Sequence, residues 1–387
     1  MKIGFFTDSY KPYMSGVVKS IETFTEQLQK KGHEVYIFAP NYPEAEEENN
    51  IYRFKSIPAL TNPGFRLAIP ISTRVVQEVK EIGLDIIHTH SPFLMGWLGR
   101  FVARKLDIPL VFTYHTLYEE YAHYAPFGQQ IARKLAIKYS RDYCQSCDLV
   151  IAPSKFVENM LRGYRITTPI KTVSTGIDLN PYREKDGLWV RAKYNIKDDE
   201  KVLLFVGRLG QEKNVAFLLK VFKEVVDNLT NVKLMLVGDG PQRQKLVRLK
   251  EELSLGNKVI FAGWQPPEKV VDFYLAGDLF VFPSMTETQG LVTIEAMAGG
   301  LPVVAVNAAG SKVMVDDGLN GLLVKPKKHI FAQAVIDLIT HKTRYNLFMK
   351  NALKKAESFS IEVMTDKLLE GYQEILNAGD EFQKNLA

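Results

Sequence analysis

Short apolar, β-branched runs alternate along the chain with longer segments whose apolar positions recur every three to four residues. The runs are KIGFFTDS, HEVYIFAP, LDIIHTH, IPLVFTYHT and CDLVIAPS in the first half, then KVLLFVGRL, NVKLMLVGDG, KVIFAGW, DLFVFPS and LPVVAVNA. Between most of them lie segments such as VVKSIETFTEQLQKKG and NVAFLLKVFKEVVDNL, whose periodicity predicts amphipathic helices. Strand and helix in alternation predict parallel sheets covered by helices on both faces.

The pattern restarts near residue 200, after the polar stretch LNPYREKDGLWVRAKYNIKDDEK. Each half holds enough strands for its own doubly wound sheet, so the chain reads as an α/β protein of two Rossmann-like domains with a boundary between Thr175 and Asn180. A length of 387 residues suits two cores better than one. The late amphipathic stretch FSIEVMTDKLLEGYQEIL is not needed by the second sheet; it is expected to cross back to the first domain, packing on the second being the alternative. The expected domains are therefore 1–177 with 360–387, and 178–359. Ligands of open α/β sheets sit at the carboxyl ends of the strands, which makes a cleft between two such domains the expected site.

With 46% hydrophobic and 24% charged residues the composition is that of a soluble globular protein. The net charge of +5 is too diffuse for a nucleic-acid footprint and suits weak attraction to an anionic membrane surface, or simply a solvated face. MKIGFFTDSY runs straight into a strand without the features of a signal peptide, and no apolar run approaches the roughly 20 residues of a spanning helix. A cytoplasmic location is expected. Cys144 and Cys147, in CQSC, have no second pair to complete a metal site and do not stand at a strand-to-helix turn; they are expected to be reduced structural thiols.

Candidate chemistry gathers at strand ends. Gly16 lies near a helix start after the first strand, where backbone N–H groups can approach a phosphate, although a glycine there is also an ordinary turn. GDGPQR, from Gly238, lacks the third glycine of a dinucleotide loop and reads as a structural turn. In GRLGQEKN, Arg208 follows a strand directly and Lys213 precedes a helix, so a guanidinium and an ammonium stand where they can neutralise a diphosphate; surface ion pairs are the plainer reading. SMTETQGLVTIEAMAGG places Glu287 before and Glu295 inside a helix that starts near Gly290 and Leu291. One carboxylate can accept from sugar hydroxyls and the other from ribose hydroxyls, with the helix start between them facing phosphate; a macrodipole-favoured Glu295 and a solvated Glu287 are the alternative. His115 closes a strand and reads as a neutral hydrogen-bonding residue, while His88 reads as packed and His90 shares its strand end. No D-x-D or H-E-x-x-H accompanies them, so no metal is expected.

GRLGQEKN, GDGP, VIFAGW and above all ETQGLVTIEAMAGGLPVVA resemble the second domain of glycosyltransferase family 4, with its E-x7-E signature. The N-terminal DSYKPYMSGVVKSIETFTEQLQKKGHEVYIFAP and the HTH strand resemble the same family, so the likeness runs over nearly the whole chain. It implies a GT-B fold with acceptor-side and donor-side domains, a nucleotide-sugar donor, retention of anomeric configuration and no metal or other cofactor. Carried over by position, it makes Arg208 and Lys213 the diphosphate neutralisers and Glu295 the ribose ligand. It puts Glu287 on the donor sugar, Gly16 on the phosphate side and His115 beside the reacting sugar, and it associates Trp264 with reading of the base, expected to be uracil.

Where many members carry an aromatic residue, this chain has Gln289. ETQG together with FTYHTLYEEYAHY is similar to bacterial diacylglycerol glucosyltransferases, which implies UDP-glucose as donor, diacylglycerol as acceptor and a peripheral position on the inner membrane face. PFLMGWLGRFVARK and ARKLAIKYSR mix aromatic and basic residues as interfacial helices do, and as core helices with a solvated face also do. Another lipid, a sugar phosphate or a soluble sugar is the alternative acceptor; a UDP-sugar 2-epimerase and a non-catalytic nucleotide-sugar binder share the architecture.

Overall fold

The computed structural model describes residues 1–59, 64–70, 74–119, 128–285, 290–308 and 310–384, with side chains to residue 378. The chain forms two compact units, Met1–Gly176 with Ile361–Ala387, and Ile177–Ser360.

The strands of the first unit are β1 (Lys2–Phe6), β2 (Glu34–Pro40), β3 (Ile51–Phe54), β4 (Ser56–Pro58), β5 (Arg66–Ala68), β6 (Ile86–Thr89), β7 (Leu110–Thr113), β8 (Leu149–Ala152) and β9 (Ile170–Thr172). Seven of them form one sheet in the order β3-β2-β1-β6-β7-β8-β9, paired in parallel throughout. β4 and β5 make a separate antiparallel ribbon. Helices α1 (Gly16–Lys30), α2 (Val75–Ile82), α3 (Leu94–Leu106), α4 (Gln129–Cys144) and α5 (Lys155–Gly163) occupy the connections. The strand order reverses between β1 and β6, which makes their carboxyl ends the switch point where a doubly wound sheet opens a crevice.

Local sequence accounts for these elements. Ser15 caps α1, its side chain accepting from the Val18 N–H, and Val18, Ile21, Phe24 and Leu28 bury one face at three-to-four spacing. Ile3, Phe5 and Phe6 of β1 are buried, and the Phe6 ring stacks on Phe38 of β2 at 4.3 Å.

In the second unit come α6 (Asn180–Glu184), α7 (Leu188–Lys193), β10 (Lys201–Val206), α8 (Val215–Asn228), β11 (Val232–Val237), α9 (Arg243–Glu252), β12 (Val259–Gly263) and α10 (Pro267–Ala276). They are followed by β13 (Leu279–Phe282), α11 (Leu291–Ala298), β14 (Val303–Val306), α12 (Ser311–Met314), β15 (Gly321–Val324), α13 (Lys328–Thr340) and α14 (Lys342–Glu357). The sheet is parallel in the order β12-β11-β10-β13-β14-β15, so its switch point lies between β10 and β13. Phe205, Phe222, Phe273 and Phe280 are fully buried at its core.

The last helix, α15 (Ile361–Lys384), belongs to the first unit. Met364, Leu368 and Tyr372 are buried, and the helix packs on α1. The Tyr372 hydroxyl hydrogen-bonds His88 Nδ1 at 2.6 Å, and Asp366 pairs with Lys31 at 2.7 Å. At Gly176 a Cβ would lie 2.4 Å from the Ile361 backbone, so only glycine admits this approach.

Candidate functional site

In the second unit, β10 leads through Gly207 to Arg208, whose side chain is exposed. The loop that carries it is fastened to the loop after β11: the Leu209 N–H donates to the Asp239 carbonyl and the Gln242 N–H to the Leu209 carbonyl, both at 2.9 Å. A Cβ at Gly238 would stand 2.1 Å from the Gly207 carbonyl oxygen, and one at Gly240 2.7 Å from that of Leu209. The glycines of GDGP therefore let two backbones touch, a packing role that sets the position of Arg208. Lys213 ends a 3₁₀ turn, Gln211–Lys213, before α8. Its ammonium lies 6.0 Å from the centroid of Phe282, the last residue of β13, so a cation supplied from the β10 side reaches the β13 side of the switch point.

After β13 the chain passes the buried Ser284; Glu287 and Gln289 lie outside the described residues. Gly290 stands at the N-cap of α11 with φ 68° and has no side chain to cap the first turn, which continues with Leu291 and whose Thr293 N–H turns back to the Gly290 carbonyl at 2.9 Å. Two hydroxyls close to this helix start, Thr293 Oγ1 and Ser311 Oγ, are buried without a hydrogen-bond partner among the described residues. Glu295 occupies the second turn and is half-buried. One of its oxygens accepts at 2.8 Å from the hydroxyl of Tyr274, a fully buried residue of α10. Burial first, and the Glu295 charge second, push the Tyr274 phenol well above its ordinary pKa, so it stays a donor. Trp264, just beyond β12, is exposed.

In the first unit Gly16 begins α1 and is exposed, and a Cβ there would meet nothing within 4 Å. His115 follows β7 and belongs to a ladder of imidazoles. His88 bonds Tyr372 through Nδ1 and Thr113 Oγ1 through Nε2 (2.6 and 2.7 Å), which confirms it as a packed residue. Its ring stacks on His90 at 4.4 Å, and His90 Nδ1 lies 3.0 Å from His115 Nε2. His90 Nε2 is buried with no partner among the described residues. Burial holds all three neutral: it pushes His88 down to about 3, His115 to about 4, and His90, with added repulsion from the other two, well below the usual range.

Asp8 lies just beyond β1. Its carboxyl accepts from the Ser91 hydroxyl and, at 3.0 Å, from the Met95 N–H in the first turn of α3, while burial raises its pKa against those bonds. Cys144 and Cys147 are free and buried, and burial pushes the Cys144 thiol up to about 12 and the Cys147 thiol well above its ordinary value, which keeps both unreactive. Among the described residues no helix is long and apolar enough to cross a membrane. Phe93, Leu94, Trp97 and Phe101 around α3, with Ile131 and Leu135 of α4, are nevertheless exposed. The Arg100 guanidinium lies over Trp97 at 4.9 Å and the Lys105 ammonium over Phe101 at 5.8 Å, and Trp97 Nε1 donates to the α4 hydroxyl of Tyr139 at 2.7 Å.

Two family models match the chain, Glycosyltransferase Family 4 over residues 14–181 and Glycosyl transferases group 1 over residues 190–355. An alpha-monoglucosyldiacylglycerol synthase of Streptococcus pneumoniae is 33% identical over 100% of this chain and 88% of its own. The chain belongs to glycosyltransferase family 4. A second alpha-monoglucosyldiacylglycerol synthase, from Acholeplasma laidlawii, is 30% identical to this family 4 enzyme over 94% of both chains. Among solved structures, Anabaena HepE in complex with UDP superposes with TM-score 0.76 over 97% of this chain and 100% of its own, at 22% identity. Sucrose-phosphate synthase from Thermosynechococcus elongatus gives 0.73 over 97% and 99%, at 23%. These likenesses establish for the glycosyltransferase the GT-B fold of two Rossmann-like sheets.

Proposed function

We propose that this glycosyltransferase moves glucose from UDP-glucose to diacylglycerol, with retention and without a metal ion, to form α-monoglucosyl diacylglycerol. Its place is the inner face of the cell membrane, held there peripherally from the cytoplasm. The observation that carries this reading is the match to two alpha-monoglucosyldiacylglycerol synthases along practically the entire chain, first unit included. The exposed aromatic and cationic side chains of α3 and α4 support a lipid acceptor presented by an anionic surface.

On this reading Arg208, Lys213 and the start of α11 take up the charge that grows on the diphosphate as it leaves, and Gly16 leaves room on the phosphate side. Glu295 holds the ribose, Glu287 the glucose, and neutral His115 hydrogen-bonds a glucose hydroxyl. The acceptor hydroxyl attacks the anomeric carbon from the face the diphosphate leaves, and its proton departs with the diphosphate.

The test is a product assay with purified enzyme, radiolabelled UDP-glucose, and mixed micelles of diacylglycerol and anionic lipid, with EDTA present. An alkali-stable, α-linked product in the organic phase is expected. Label left wholly in the aqueous phase would overturn the donor and acceptor pair, and activity abolished by EDTA but restored by a divalent ion would overturn metal independence.

A further inference from the structure

The first unit holds a cavity of about 600 Å³ at its own switch point: Asp8 and Ser9 follow β1, and His90 and Ser91 follow β6. That volume lies within the range of small-molecule sites, roughly 300–1,000 Å³. The strand ends give it a polar side. The rest of its wall is mainly apolar, with Leu135, Ala136 and Tyr139 of α4 beside Phe93 and Tyr118, although Thr7 and Thr116 also line it. The Phe93 ring stacks on Tyr139 at 6.1 Å and meets Tyr118 edge-on at 5.3 Å, so these aromatics form a continuous lining.

Two features narrow the occupant. A sugar or polyol phosphate would turn hydroxyls toward this lining and leave them unpaired, whereas a molecule with an oxygen-bearing head and an alkyl tail matches both sides. In addition, Phe93 and Leu135, which line the cavity, are 47% and 61% exposed and belong to the aromatic, cation-bearing face of α3 and α4. The cavity is therefore continuous with the surface proposed to meet anionic lipid. The polar side contains His90, bonded to His115, so an acceptor oxygen held there sits one hydrogen-bonded imidazole from the residue assigned to the donor sugar.

We infer that this cavity is a binding site for one acyl chain of the acceptor, entered from the α3–α4 face, with the glycerol end held at the termini of β1 and β6. The inference rests on the reading of the acceptor as a lipid. Each methylene withdrawn from such a site should weaken binding about fourfold.

A diacylglycerol bearing a diazirine at the end of one acyl chain, presented in micelles to the full-length enzyme, tests the site directly. Labelling is expected in the α4 peptide, competed by unlabelled diacylglycerol and reduced about tenfold or more in Ala136→Trp, which fills the cavity. Ala136→Leu should give a smaller loss, and an unchanged far-UV circular dichroism spectrum and melting temperature in both variants would show that the first unit is folded. The control is Ile131→Ser, on the exposed face but outside the cavity, which should lower micelle binding while keeping competed labelling of the bound fraction. Labelling that persists in Ala136→Trp, or falls only outside α4 and the Phe93 segment, overturns the acyl-chain site whatever the product assay shows. A competed label in α4 with no glucolipid from the wild type would instead keep the site and remove the proposed transfer.

Discussion

His90 and His115 meet nitrogen to nitrogen at 3.0 Å with their rings nearly parallel, so the two imidazoles share a single proton between Nδ1 and Nε2. With burial holding His115 down to about 4, it serves as a neutral hydrogen-bonding group and not as an acid. The profile of kcat/KM against pH should accordingly show no limb near 6.5 between pH 5 and 8. A limb there that disappears in His115→Asn would show imidazolium chemistry instead.

The same burial links pH to stability. Unfolded histidines bind a proton near pH 6.5, whereas folded His88 refuses it until about pH 3 and His115 until about pH 4, and His90 is held well below the usual range. Their contribution is present above pH 6.5 and is lost as pH falls toward 4, at about 1.4 kcal/mol per pH unit per histidine. Asp8, whose carboxyl is raised by burial, works in the opposite direction. Urea unfolding between pH 7.5 and 5 should show falling stability, with a shallower slope in His88→Gln. Identical slopes in variant and wild type would contradict the assignment.

Tyr274 reaches Glu295 from the buried side of α10. Tyr274→Phe removes one donor to a carboxylate, a bond worth about 1.5–3 kcal/mol, part of which water restores to a half-buried group. The KM for the nucleotide sugar should rise about five- to tenfold with kcat little changed. An unaltered KM would mean that Glu295 needs no such support.

Arg208→Ala and Lys213→Ala should each lower kcat by roughly 10²–10³, with the melting temperature retained. Glu287→Ala should erode discrimination among donor sugars. Full turnover in either cation variant would remove the leaving-group role.

Two glycines invite opposite outcomes. Gly16→Ala meets empty space and should leave the melting temperature unchanged or slightly raised, while kcat/KM falls because the methyl group occupies the phosphate side. Gly238→Ala drives a Cβ into the Gly207 carbonyl at φ 123° and should cost about 2–4 kcal/mol of stability along with the placement of Arg208. Equal thermal effects from the two would contradict the packing described for the loop.

The central strands were legible because parallel pairing buries them on both faces and leaves unbroken apolar runs, as in β1, β10 and β13. β3, β9 and β15 were not: they lie at sheet edges and are largely half-buried, and Ile170, Lys171 and Thr172 of β9 make no apolar run at all. Arg208, Lys213, Glu295 and His115 could be placed near strand and helix ends because polar residues interrupt the pattern there. Their supports could not. Asp8 with Met95, His90 with His115 and Tyr274 with Glu295 join positions 87, 25 and 21 apart, and only the folded chain brings such pairs together.

The bond from Tyr372 to His88 spans 284 positions, with the whole of Ile177–Ser360 lying between. A ribosome therefore releases β6 and its histidine long before the partner exists. The outer side of α1 and the Nδ1 of His88 wait uncovered while the second unit is made, and that unit, continuous in sequence, is free to fold first. The unit translated earlier is the one whose packing cannot be completed until α15 emerges, so its sheet stays incompletely covered for the length of the second unit's synthesis.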